Sequence, residues 1–215
     1  QVSGDKFNYE SLRLVPHPYS WDPSAGVCNL CSPIDVVFDD IEIINSAYQS
    51  ASELGSRLNL NLFSGTANEK NEKASTSLKL KLQDLSDESS YRITITSDDV
   101  EITAGDEVGF YYGLISLMQL AQTYHQLIPC GSIFDKPRFS WRGQHLDTVR
   151  HFFSVDSLLK LLDLMSLFKL NKFHWHGVDD EAFRFKLDSH PEIATATPKR
   201  GNNLSVPPVF GSGPD

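Results

Sequence analysis

The stretch His174-Trp175-His176-Gly177-Val178-Asp179-Asp180-Glu181 puts two imidazoles and three carboxylates within eight residues. Asp147 and Arg150 form a second polar group upstream. Three chemistries fit such a cluster. It is a solvated acidic loop behind a core strand, or a metal site, since a His-x-His strand end suits zinc or another first-row ion. The third is a carboxylate and imidazole network that binds and protonates a polar, uncharged substrate such as a sugar.

The elements around these residues read as strand, helix, strand. A first strand runs from about Arg142 to Leu146 and delivers Asp147 and Arg150. Ser154 is a good N-cap, and Asp156 in the first turn suits the helix dipole. From Leu158 to Leu170 only Lys160, Asp163, Ser166 and Lys169 interrupt the apolar run, so the helix is expected to be buried on most sides, as a crossover between parallel strands would be. Asn171 is the expected stop. Lys172 to His176 resumes as a strand ended by Gly177, with His174 and His176 on one face and Phe173 and Trp175 on the other. Asp179, Asp180 and Glu181 follow as a loop. In barrels and doubly wound sheets, polar residues past strand ends mark the functional face.

The segments DKPRFSWRGQHLDTVRHFF and KLNKFHWHGVDDEAFRFKL resemble the opening of the catalytic barrel of glycoside hydrolase family 20, the exo-acting β-N-acetylhexosaminidases and chitobiases. The family pattern D-x-P-R-F-x-W-R-G, L-D-x-x-R-H-F and K-L-N-x-F-H-x-H-x-x-D-D occurs here in order and at family spacing. The resemblance continues through DSHPEIA into PPVFGSGPD, which is similar to a loop of the chitobiase-like branch. GDEVGFYYGLISLMQL is similar to the last helix of the small domain preceding that barrel.

The resemblance implies roles residue by residue. Arg150 matches the arginine that binds ring hydroxyls of the terminal N-acetylhexosamine, for which a planar fork of donors is suited; the competing reading is a structural pair with Asp147. His176 and Asp179 match a hydrogen-bond relay behind the general acid. Asp180 and Glu181 are candidate substrate-binding residues that otherwise support the loop or meet solvent. His174 and Asp147 read equally as structural partners of the strand ends, and His145 and His151 as structural. Trp141 and Trp175 are expected in the core.

The implied mechanism is substrate-assisted and retaining, with no metal or organic cofactor. The substrate's acetamido oxygen attacks the anomeric carbon, a Glu protonates the departing oxygen, and the preceding Asp orients the acetamido group. In the family that Asp-Glu pair lies in an H-x-G-G-D-E type motif, which these 215 residues do not contain. A (β/α)8 barrel also needs about 200 residues or more, and Phe139 to Asp215 has room for two strands and one helix. The expectation is therefore part of a larger enzyme, inactive as an isolated polypeptide, whose partners are an N-acetylhexosamine-containing oligosaccharide and the remainder of its own barrel. A homo-oligomer is left open. Two rivals are a non-catalytic carbohydrate-binding or structural relative, and a metal-dependent hydrolase of the His-x-His barrel type.

The expected layout is a non-catalytic α+β domain over residues 1–137, an antiparallel sheet with two helices on one face, followed over 138–215 by the first β-α-β unit of a TIM barrel. Strand-like stretches are Leu12 to Val15, Asp35 to Phe38, Ser77 to Gln83, Tyr91 to Thr96, Val100 to Thr103 and Leu127 to Phe134. Tyr91 to Thr103 reads as a hairpin around Ser97-Asp98-Asp99. Helices are expected over Ser46 to Leu58, interrupted by Gly55, and Glu107 to Tyr124. Gly65 to Thr76 is the expected mobile loop.

A net charge of -9 argues against a nucleic-acid partner, which needs a basic surface. No apolar run is long enough to span a membrane. Cys28-x-x-Cys31 lacks a second pair and is a poor zinc site by itself; Cys130 is expected to pair with Cys28, Cys31 or a cysteine elsewhere. Asn203-Leu204-Ser205 is a glycosylation pattern. A chain beginning Gln-Val-Ser fits a mature form with its leader removed. Together these lean towards a secreted, periplasmic or lysosomal protein.

Overall fold

Strand and helix positions follow local chemistry in most of the chain. The computed structural model describes residues 12–30, 34–38, 42–60, 62 and 74–197. Cys31, most of the Gly65 to Thr76 loop, the Asn203 triplet and the PPVFGSGPD segment lie outside the described residues. The chain divides into two units, Gln1–Ser140 and Trp141–Asp215.

The first unit is built on β1 (Ser20–Asn29), β2 (Ile34–Phe38), α1 (Glu42–Arg57), β3 (Thr76–Leu82), β4 (Tyr91–Ile95), β5 (Asp99–Ala104), α2 (Glu107–Thr123) and β6 (Leu127–Asp135). Six strands form one sheet in the order β1-β6-β4-β5-β3-β2. The expected antiparallel sheet is only part of it, three of the five pairings. β1, β6, β4 and β5 pair antiparallel, but β2 runs parallel to β3 and β3 parallel to β5. The reason is α1, which carries the chain from β2 back to the start of β3, a crossover that only a parallel pair needs.

β1 was not expected, because Pro23 and Gly26 argue against a strand. It survives at the sheet edge, with an irregularity between Pro23 and Val27 that absorbs the missing donor. Leu12 to Val15, conversely, is not a strand. Its backbone is tied to side chains at the C-terminal end of α2 instead: Arg13 N–H donates to Tyr124 Oη at 3.0 Å and Val15 N–H to Gln119 Oε1 at 3.2 Å.

α2 is buried nearly all round and packs on both α1 and the sheet, where Phe110, Leu114, Ile115 and Leu117 are inaccessible. Asp106 caps it, accepting from Gly109 N–H at 2.7 Å. Gly113 lets it approach the sheet closely, since a Cβ there would lie 2.6 Å from Ile102 Cγ2. Beneath it the Tyr91 hydroxyl meets Ser116 Oγ at 2.6 Å and Asp135 Oδ2 at 2.8 Å. Burial first, and then the Asp135 charge, push the Tyr91 phenol well above its usual range. Cys28 and Cys130 are buried and unbridged, and burial together with the nearby Cys130 thiol pushes Cys28 up to about 11. A Cys28–Cys130 bridge is therefore not formed.

The second unit contains β7 (Gly143–Asp147), α3 (Val155–Leu167), β8 (Lys172–His176), β9 (Val178–Asp179), β10 (Ala182–Phe183) and α4 (Pro191–Ala196). β7 and β8 are parallel, joined through α3 as a β-α-β unit. Ser154 caps α3, accepting from Ser157 N–H at 3.2 Å. The helix ends earlier than Asn171. Lys169 takes the left-handed conformation (φ 59°), with Lys169 N–H on Ser166 O and Leu170 N–H on Met165 O, a Schellman closure. Asn171 instead ties the two strand starts: its N–H donates to Arg142 O, and its Oδ1 accepts from Arg142 N–H, both at 2.9 Å.

The expectation that α3 is buried on most sides is not met. Leu158 and Met165 are buried, while Val155, Leu159, Leu162, Leu164 and Phe168 are exposed. Two strands, one hairpin and a short helix offer too little surface, among the described residues, to cover them. No helix of the described residues is long and apolar enough to cross a membrane.

Candidate functional site

The β7–β8 register assembles the polar cluster. Gly143 pairs with Lys172, His145 with His174 and Asp147 with His176. With side chains alternating between faces, His145, Asp147, His174 and His176 share one face of the pair. The predicted loop after β8 is more ordered than its composition suggests. β9 and β10 form a hairpin in which Asp179 pairs with Ala182, so Asp180 and Glu181 are its two turn residues. That hairpin turns the acidic run back towards Arg150.

Arg150 is the hub. Its Nη1 lies 3.0 Å from Asp147 Oδ2 and 2.8 Å from Asp179 Oδ2, and its Nε lies 3.3 Å from Glu181 Oε1. Asp180 Oδ1 stands further off, 3.9 Å from Nη2. Glu181 is fully buried, whereas the Asp180 side chain is 70% exposed. The two turn residues thus differ: Glu181 fixes the guanidinium from beneath, and Asp180 faces outward. The structural Arg150–Asp147 pair is present, together with three further carboxylates around the same cation.

His176 Nε2 lies 2.8 Å from Asp179 Oδ2 and 3.0 Å from Arg150 Nη1. A carboxylate only accepts and a guanidinium only donates. The short Asp179 contact therefore assigns a proton to Nε2, donating to Asp179, and in that tautomer the lone pair is on Nδ1. Arg150 and His176 then converge as two donors on one Asp179 oxygen.

The charges respond accordingly. Asp179 is held well below the usual carboxylate range, chiefly by the backbone N–H and side chain of Asp180, then by His176 and Arg150. The cost falls on Asp180, which is raised first by its hydrogen bond with Asp179 and further by burial and the Asp179 charge. Burial works to raise Asp147, but the backbone N–H groups of Arg150 and Val149 and the guanidinium outweigh it, and Asp147 sits below its ordinary value. Desolvation likewise opposes the Arg150 charge, and its carboxylates, Asp147 foremost, overcome it to raise Arg150.

Several supporting residues were not singled out from the sequence. Thr148 Oγ1 donates to His176 O at 3.1 Å and accepts from Trp175 Nε1 at 2.8 Å. Arg184 reaches back to the carbonyls of Thr148 and Val149 at 3.0 and 3.1 Å, clamping the turn that carries Arg150. His145, read from the sequence as structural, joins the cluster: its ring lies edge-on to His174, with centroids 4.7 Å apart. The only sequence signal for it is that in-register parallel pairing of Asp147 with His176 sets His145 beside His174. His151 stays outside the cluster, its ring against Phe153. Trp141 and Trp175 are not core residues: they are 69% and 43% exposed. Trp141 lies beneath Lys172 Nζ, and Trp175 packs on Phe185, because neither has a covering layer among the described residues.

The family described as glycosyl hydrolase family 20, domain 2, matches residues 11–136, and its catalytic domain matches residues 139–211. The chain belongs to glycosyl hydrolase family 20. A β-hexosaminidase from Vibrio vulnificus is 30% identical over 212 residues, 94% of this chain but 23% of its own length. The N,N'-diacetylchitobiase of Vibrio harveyi is 34% identical over 136 residues, 61% of this chain and 15% of its own. Among solved structures, the exo β-N-acetylglucosaminidase of Vibrio harveyi in complex with N-acetylglucosamine superposes with a TM-score of 0.73 at 27% identity, covering 93% of this chain and 31% of that one. The β-N-acetylhexosaminidase of Streptomyces coelicolor gives 0.70 at 27% identity, covering 91% and 40%. This family 20 chain therefore spans about a quarter of the curated β-hexosaminidase it matches over nearly its full length. It carries domain 2 and the start of the catalytic domain, and the Arg150 cluster lies wholly within the latter.

Proposed function

We propose that this chain is the first part of an exo-acting β-N-acetylhexosaminidase, which removes terminal N-acetylhexosamine from chito-oligosaccharides or glycoconjugates by a substrate-assisted, retaining mechanism. The observation that carries the proposal is the convergence of Arg150 and His176 on Asp179 inside the stretch matched by the catalytic domain. Residues 1–137 act as the accessory domain, and residues 138–215 open a (β/α)8 barrel. The exposed apolar side of α3 and the β7–β8 pair suit a first barrel unit that its neighbours cover.

In this reading Arg150 binds two adjacent ring hydroxyls of the terminal sugar, and its carboxylates hold the guanidinium in one orientation beforehand. Asp179 and His176 form the relay behind the general acid. Nε2–H of His176 holds the Asp179 charge in place, and that charge favours the protonated form of a nearby acid. Asp180, outward and raised, and Glu181, buried against Arg150, shape the rim and floor of the sugar subsite. The general acid Glu and its preceding Asp would come from the remainder of the barrel, because no H-x-G-G-D-E motif lies in these residues.

The test is hydrolysis of a chromogenic N-acetyl-β-D-glucosaminide by the longest natural form of the protein, with the first-formed anomer read by NMR. The proposal expects turnover with β-anomer released first, and no turnover by the isolated 215 residues. Release of the α-anomer, or a full-length protein that binds the sugar without cleaving it, would contradict it; the latter result would favour the carbohydrate-binding relative.

A further inference from the structure

His145, His174 and His176 each offer a ring nitrogen within 4.8 Å of the other two. They come from two strands and share one face through the parallel register. We propose that they bind a divalent first-row ion of the Zn2+ class. This goes beyond the hydrolytic reading, which needs no metal.

Four observations carry it. Three neutral imidazoles are a donor set that selects Zn2+, Cu2+ or Ni2+ over Ca2+ and Mg2+, which prefer oxygen. The spacing lies within rotamer adjustment of the ideal: with Zn–N near about 2.0–2.1 Å, tetrahedral ligand atoms stand roughly 3.4 Å apart. His145 and His174 are exposed, and neither ring makes a hydrogen bond within the described residues, so both turn without breaking one, giving up only their mutual ring contacts. Finally, His176 is already arranged as a metal ligand. Its Nε2 is held by Asp179, which leaves Nδ1 to coordinate, the carboxylate–histidine–metal arrangement that fixes tautomer and ring orientation.

Three protein ligands leave one position of a tetrahedral ion for water or another exchangeable donor. An ion there takes the free Nδ1 of His176 and adds positive charge beside Arg150 and Asp179. It therefore competes with any role in which His176 exchanges a proton through Nδ1.

The test is Zn2+ and Co2+ binding to the untagged, longest natural form, wild type beside His145→Leu and His145→Asn. His145 lies outside the proposed sugar-binding and relay residues, and its exposed side chain is replaceable without disturbing the core. Wild type should bind one ion, with the visible absorption of tetrahedral Co2+ and paramagnetic shifts on three histidine rings. Loss of an outer partner alone weakens metal binding by about 10- to 100-fold, so loss of the His145 ligand should weaken it by more than roughly 100-fold. The shifts on wild type need no substitution and stand even if a variant folds poorly. No stoichiometric binding by wild type, equal affinity in wild type and both variants, or paramagnetic shifts on other histidines would overturn the site. None of these readouts depends on hydrolysis, so its failure is distinguishable from failure of the glycosidase reading.

Discussion

Arg150 and His176 meet on a single oxygen, Asp179 Oδ2, each at 2.8 Å. One residue comes from the turn after β7 and the other from β8. The carboxylate between them comes from a hairpin whose turn, Asp180-Glu181, also supplies Glu181 to the guanidinium. Three separate segments thus meet at one carboxylate.

Asp179→Asn removes the charge that His176 and Arg150 share. Because a carboxylate raises the pKa of a nearby acid, its loss should move the alkaline limb of the kcat/KM profile to lower pH. A purely structural role for Asp179 would lower activity at all pH values and leave the limbs where they are. Steady-state kinetics on the full-length protein across pH separates the two.

Asp147 and Asp180 should affect stability with opposite signs. Asp147 is lowered in the fold, so its contribution is present above the ordinary carboxylate pKa of about 3.9 and lost as pH falls through its folded value. Asp180 is raised, so its contribution is present at acid pH and lost as pH rises through its folded value. Asp147→Asn should then lower Tm at pH 7, with the difference from wild type closing in acid. Asp180→Asn should raise Tm slightly at pH 7, again converging in acid. Thermal unfolding between pH 3 and 7 reads both, and a shared sign would contradict the assigned shifts.

Ser154→Ala deletes the cap of α3 and should cost about 1 kcal/mol, with Ser154→Asp restoring most of it. Amide exchange in the first turn of α3 should accelerate in the alanine variant and return in the aspartate variant. Unchanged exchange in the alanine variant would mean that the Ser157 N–H contact contributes nothing.

Gly113→Ala would place a methyl 2.6 Å from Ile102 Cγ2. Either α2 lifts from the sheet or Ile102 leaves its position, at a cost of about 1–3 kcal/mol. Urea unfolding should show a lower midpoint at unchanged slope. A midpoint equal to wild type would mean that the helix and sheet are not packed this closely.

Much of this arrangement is legible in the residues, for identifiable reasons. β8 is bounded by Asn171 and Gly177 and alternates cleanly, so its limits and faces are readable. Ser154 announces α3. The end of that helix is not readable, because a lysine rarely takes the left-handed position and the closing bonds at Ser166 and Met165 are backbone bonds with no side-chain signature. β1 hides behind Pro23 and Gly26, which an edge strand with an irregularity between Pro23 and Val27 tolerates. β9 and β10 have two residues each, too short for any period. The parallel pairings of β3 are decided by where α1 delivers the chain, which no local pattern records. The same holds in the site: Arg150, His176 and Asp179 are recognisable through family resemblance. By contrast, Glu181 as a buried counter-ion, Arg184 as a clamp and His145 as a neighbour of His174 all depend on register.

Arg150 remains the most direct point of attack on the sugar-binding account. The decisive measurement compares KM and kcat for a chromogenic N-acetyl-β-D-glucosaminide between wild type, Arg150→Lys and Arg150→Ala in the full-length protein. Losing charge-assisted hydrogen bonds to the substrate should lower kcat/KM by roughly 10- to 100-fold in the alanine variant, largely through KM. Lysine should rescue only partly, because it keeps the charge but not the fork. An alanine variant that folds and binds sugar with wild-type KM would contradict the assignment and leave Arg150 as the structural partner of Asp147.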